Sequence, residues 1–201
     1  MFGSWLITQL ETPLAAILAG AVELAGPIID LALNAQVDQS YNNISYKVFN
    51  IGVVNETDAV GIETAFDVSQ TIEAIEYQME LAANLKEQRK VLTAPVAVRF
   101  VKAADAMIAT QQGRNTVFLE QIILDRFHYT ESMFAVYQSA FIEKFSARPH
   151  WGLDWDSQQG TATFSQVFPR WDEWMRYYNQ YNSKGTFNGW VTDRLGISNT
   201  K

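Results

Sequence analysis

Apolar residues recur along this chain with two periods, and the alternation between them predicts the order of elements. Thr12-Pro13 reads as a helix start, with a helix to about residue 20 and a second over 27–35 after a Gly26-Pro27 break. Residues 36–45 are a polar loop. A strand pair is expected over 46–53 and 58–66, joined near residues 55–57. A helix over 69–90 presents Ile72, Ile75, Met79 and Ala82 at helical spacing. Strands follow over 95–101 and 116–124. A helix over 130–145 carries the stripe Phe134, Tyr137, Phe141 and Phe145, and a last helix over 172–181, expected to pack on the sheet, sets Trp171, Trp174, Met175 and Tyr178 on one side. Helices and strands do not alternate strictly. The pattern predicts an α+β domain, a mainly antiparallel sheet flanked by helices.

Successive strand residues face opposite ways, so each strand can be read as two faces. Over 58–66 one face carries Val60, Ile62, Thr64 and Phe66, and the other Ala59, Gly61, Glu63 and Ala65. Over 95–101 one face carries Val96, Val98 and Phe100, and the other Pro95, Ala97, Arg99 and Val101. Each strand thus has a bulky face suited to packing under helices. Each also has a face of small residues with one charge, and Glu63 and Arg99 are expected to be the only charges there. Such a face is either solvated, with a weak surface ion pair, or the floor of a site for something flat. Burial separates the two readings.

Charge and composition narrow the function. A net charge of −7 argues against nucleic acid and anionic membrane surfaces as partners. The chain has no cysteine, which excludes a disulfide framework, a zinc–thiolate site and a thiol nucleophile. With His128 and His150 the only histidines, no transition-metal site is expected. The N-terminal stretch is apolar, yet no Lys or Arg precedes Lys47, and Glu11, Glu23 and Asp30 interrupt it. Neither a secretory signal nor a spanning helix is expected. The run Glu73, Glu76, Glu80 reads as a solvated helix face. No Gly-x-Ser-x-Gly elbow is present to support serine hydrolysis.

Five of the six tryptophans lie between residues 147 and 190. The sequences Val-Phe-Asn-Ile-Gly (48–52), Ile-Glu-Thr-Ala-Phe (62–66), Pro-Val-Ala-Val-Arg-Phe (95–100), Arg-Pro-His-Trp-Gly (148–152), Phe-Pro-Arg-Trp (168–171) and Gly-Thr-Phe-Asn (185–188) follow one another in this region and upstream of it. In that order they resemble the C-terminal cap domain of the aldonolactone and sugar-alcohol oxidases, within the vanillyl-alcohol-oxidase flavoprotein superfamily. The resemblance covers roughly residues 45–195. It implies a cap, or substrate, domain over 45–201, while the apolar pattern of residues 1–44 reads as a helical segment that packs on the cap or on a partner.

The resemblance further implies an FAD cofactor, held mainly by an FAD-binding domain or subunit, and oxidation of an alcohol carbon of a sugar lactone or polyol by hydride transfer to the flavin. Carried over residue by residue, it marks Glu63, Arg99 and His150 as catalytic, and Arg99, His150, Trp151 and Asn188 as facing the cofactor. Arg99 would stabilise developing charge, and His150 or Glu63 would accept the hydroxyl proton. Two positions depart from the pattern: Ala97 stands where a glutamate is expected, and Leu153 where a lysine is expected. The sequence has no Gly-x-Gly-x-x-Gly fingerprint and no Ser-Gly-Gly-His segment. The FAD-binding domain is therefore expected on a separate chain or in a longer precursor. The alternative is a non-catalytic binding or assembly module on the same fold.

Overall fold

The computed structural model describes residues 21–34, 44, 59–124, 127–155 and 161–198. Among them the elements run α1 (Val22–Asn34), β1 (Ala59–Asp67), a 3-10 turn (Val68–Gln70), α2 (Thr71–Glu87), β2 (Ala97–Val101), β3 (Thr116–Leu124), α3 (Thr130–Phe145), β4 (Arg148–Pro149), α4 (Thr161–Val167), α5 (Trp171–Tyr181) and α6 (Trp190–Leu195). The four strands form one sheet in the order β2-β3-β1-β4, and every pairing is antiparallel. This is the α+β architecture that the hydrophobic pattern predicts. The helix expected over 12–20 and the strand expected over 46–53 lie outside the described residues.

One sheet face is covered by helices. Ile62 and Phe66 of β1 and Val117, Leu119 and Ile123 of β3 are buried against Met133, Phe134, Tyr137, Phe141 and Phe145 of α3. Phe66 meets Phe141 edge to face at 5.1 Å, an arrangement that adds to the area buried. The stripe read from 130–145 is thus the core stripe of α3. Gln121 and Gln78 are buried within this layer and pair at 2.9 Å, which satisfies part of their amide demand. Asp67 ends β1 and caps the next turn by accepting from the Ser69 backbone N–H at 2.9 Å, while its own N–H bonds Gln70.

Four expectations change. Gly26-Pro27 does not break the chain, since α1 runs through it with Pro27 inside. Ile28 packs on the core cluster, and this packing outweighs a local signal. On α2 the buried positions are Ala74, Gln78 and Leu85, whereas Ile72 and Met79 are exposed. Two apolar stripes share this helix, and contact of Tyr77 with Phe141 and Phe145 selects the face. On β2, Phe100 is 64% exposed and Val98 is also open. The helices pack on β1 and β3, so the edge strand beyond them stays open. Finally, Trp171, Trp174 and Tyr178 pack with Trp155, Phe164 and Phe168 in a second cluster of their own.

Candidate functional site

The opposite sheet face is where the small residues gather. Register fixes its rows. Ala97 on β2, Glu120 on β3 and Glu63 on β1 are successive Cα partners, so all three side chains leave the same face in one row. The next row is Arg99, Phe118 and Ala65. Arg99 therefore reaches Glu63 on a diagonal, across the intervening strand. Its guanidinium lies over the Phe118 ring, 4.7 Å from the centroid, a cation–π contact that steadies the crossing.

The Arg99–Glu63 pair is bidentate. Nε donates to Oε1 at 2.7 Å and Nη2 donates to Oε2. Glu63 is 3% exposed and Arg99 is 55% exposed. A carboxylate buried this far requires a partner, and the fork geometry of arginine matches it. The pair is thus no ordinary surface ion pair. Nη1 of Arg99 makes no hydrogen bond among the described residues, so the exposed edge of the guanidinium keeps free donors.

His150 arrives from β4. Its backbone N–H donates to the Glu63 carbonyl at 2.9 Å, and its Nε2 lies 3.9 Å from Glu63 Oε2. Its Nδ1 accepts from the Gly152 N–H at 3.2 Å. In the neutral ring this leaves the proton on Nε2, on the side of Glu63. Gly152 is needed for the approach, because a Cβ there would sit 3.2 Å from the His150 ring.

Glu63, Arg99 and His150 are therefore brought together. Trp151 and Asn188 have other contacts. The Trp151 ring stacks on Phe168 at 5.1 Å and its Nε1 donates to the Ile108 carbonyl. Asn188 Oδ1 accepts from Tyr178 and from Asn182, tying the turn after α5. Leu153 donates its backbone N–H to the His150 carbonyl.

One charged residue of this face was missed. Glu120 stands directly between Ala97 and Glu63, so the expectation that Glu63 and Arg99 are its only charges is corrected. Its carboxyl is held above the usual glutamate range, first by burial and then by the Glu63 charge, against opposing effects of Arg99 and His150. Alternation within 116–124 puts Glu120 on a face with Phe118 and Ile122, but sequence alone does not give the register that sets it beside Glu63.

A family model described as D-arabinono-1,4-lactone oxidase matches residues 3–195. This match begins well before residue 45, where the motif resemblance starts. Among solved structures, a solvent-stable cholesterol oxidase is similar, with 17% identity and a TM-score of 0.57 over 70% of this chain. This chain spans 34% of the length of that oxidase. At this identity the likeness speaks for the fold, and it agrees with the oxidase-domain fold that the motifs imply. No match was found among curated protein sequences.

Proposed function

Given that the chain belongs to the D-arabinono-1,4-lactone oxidase family, we propose that it is the substrate domain of an FAD-linked oxidoreductase that oxidises an alcohol carbon of a sugar lactone or polyol. The observation that carries this reading is the sheet face on which a buried Glu63 is clamped by a half-exposed Arg99 beside His150. Ala59, Gly61 and Ala97 leave this face low along β1 and β2, Phe118 and Ile122 form its middle on β3, and the donor-bearing edge of Arg99 is exposed above this floor. Such a floor fits the edge of a planar ring system and a small polar substrate. FAD, held by an FAD-binding domain on a separate chain or in a longer form of this one, would supply the two-electron acceptor for the hydride leaving the alcohol carbon.

The chain's own residues then have separable tasks. Arg99 places fixed positive charge where negative charge grows on the substrate oxygen. Glu63 uses only part of its acceptor capacity on Arg99 and is the proton acceptor for the substrate hydroxyl. His150 lies beside the same carboxylate, with Nε2 3.9 Å from Glu63 Oε2, and with the neutral ring's proton on Nε2 it is not itself the base in that tautomer. Trp151 and Asn188 are the further residues that the family resemblance marks as facing the cofactor.

The test is the visible spectrum of the chain purified with whatever accompanies it. Flavin absorbance in a complex is the expected result. A colourless chain that stays monomeric, and remains so when mixed with FAD-binding domains of this family, would contradict the reading and favour a binding or assembly module.

A further inference from the structure

We propose that Glu120 is a further substrate-facing residue of this site, acting as a carboxylic-acid hydrogen-bond donor to a carbonyl or hydroxyl oxygen of the ligand. The inference rests on the functional reading above, to which it adds a specificity-determining group. Its basis is the row Ala97, Glu120, Glu63, in which one strand position offers a methyl group and the other a carboxylate. Two like charges directly opposite on one sheet face repel. Arg99 relieves this only in part, because it spends Nε and Nη2 on Glu63. The Glu120 carboxyl makes no hydrogen bond or salt bridge among the described residues.

Space at the site is arranged around this side chain. Its Oε1 lies 3.8 Å from the point that a Cβ on Gly61 would occupy, so the glycine leaves a shallow berth beside the carboxyl. Ala97 keeps the other flank low. Glu120 is only half-buried, and the groups facing it are Glu63 from β1, Arg99 from β2 and His150 after β4. The net effect of burial and these neighbours favours the protonated form. A neutral carboxyl is a donor, whereas a carboxylate accepts only. The site thus holds two carboxyl groups in different surroundings: Glu63 is clamped by two Arg99 hydrogen bonds, whereas Glu120 has none among the described residues and is held toward the form that can donate one.

A raised folded-state value means that the folded chain binds its proton more tightly than the unfolded chain does. Stability is then full below the ordinary glutamate value of 4.5 and declines as the pH rises through the folded value.

The experiment has two arms. In the full chain alone, the side-chain carboxyl 13C signal that vanishes in Glu120→Gln is followed against pH. A midpoint above 4.5 is expected, and a midpoint at or below it overturns the proposal. In the flavin-loaded assembly, with D-arabinono-1,4-lactone as probe, Glu120→Leu is expected to lower kcat/KM by about tenfold, mostly through KM, as loss of one neutral hydrogen bond would. Glu120→Gln keeps a donor, so it should recover most of what Glu120→Leu loses and no longer show the decline in kcat/KM with rising pH. If Glu120→Leu turns over like wild type while Arg99→Ala is impaired, the Glu120 role is wrong and the site reading stands. If neither substitution matters, the site reading fails with it.

Discussion

Arg99 crosses a strand to reach Glu63, and the crossing has a measurable cost when it is undone. Arg99→Ala leaves a buried carboxylate without its two hydrogen bonds. Because the guanidinium is half-exposed, water takes over part of its role, and the expected loss of stability is about 1–3 kcal/mol. Adding Glu63→Gln to that variant removes the stranded charge and should recover part of the loss. A double-mutant cycle by denaturant unfolding checks this, and strictly additive effects would mean that the two residues are not coupled. Gly152 is the second residue with a narrow tolerance. Gly152→Ala brings a methyl group to 3.2 Å from the His150 ring, so the His150 side-chain resonances should move while the core is unchanged.

Much of this site was legible from residue type and alternation. Glu63 and Arg99 stood out as lone charges on small-residue faces, and His150 through its motif. Glu120 was not legible, because its role depends on which residue it opposes, and pairing register is a property of two strands together. Trp151 shows the converse. Its neighbour in sequence points to the candidate site, while its own partly buried ring stacks on Phe168 and its N–H donates to the Ile108 carbonyl.

At the scale of elements, the strands and helices with a clear period were read to within a few residues. The strand over Thr116–Leu124 and the helix over Thr130–Phe145 coincide with the ranges expected from the pattern. Short elements were not anticipated. β4 has two residues and α4 and α6 have seven and six, too few for a periodic signal. β2 carries apolar residues on a face that the helices leave open, which no single-strand pattern reveals.

The capped junction after β1 gives a test at this scale. Asp67→Ala removes the bonds to Ser69 and should destabilise the chain by about 1 kcal/mol. The Ser69 hydrogen bonds hold the Asp67 carboxyl below its ordinary value of 3.8. Its contribution is therefore present above that value and lost as the pH falls below it. Thermal melting of wild type and variant should converge in acid, and a constant difference at all pH values would contradict the cap.

For the whole molecule, two clusters with separate aromatic cores are stitched by Arg148. From β4 it donates to the carbonyls of Val167, Thr110 and Gln112. Burial lowers its guanidinium to about 10, which still leaves it charged at neutral pH. Arg148→Ala strands three carbonyls and should cost about 3 kcal/mol or more. Hydrogen exchange is expected to rise across α4 and α5 before α3, since Phe141 and its neighbours lie in the other cluster. Uniform loss of protection would mean that the clusters unfold as one. No helix among the described residues is long and apolar enough to cross a membrane.

The central claim is that the face holding Glu63, Arg99 and His150 is the substrate side of a flavin site. Its most direct test is the rate of anaerobic flavin reduction by D-arabinono-1,4-lactone in the assembled oxidoreductase, with and without Arg99→Ala, at a temperature where both are folded. A fall of about 10²–10³ is expected for loss of a preorganised charge at the reacting oxygen, and an unchanged rate would contradict the account.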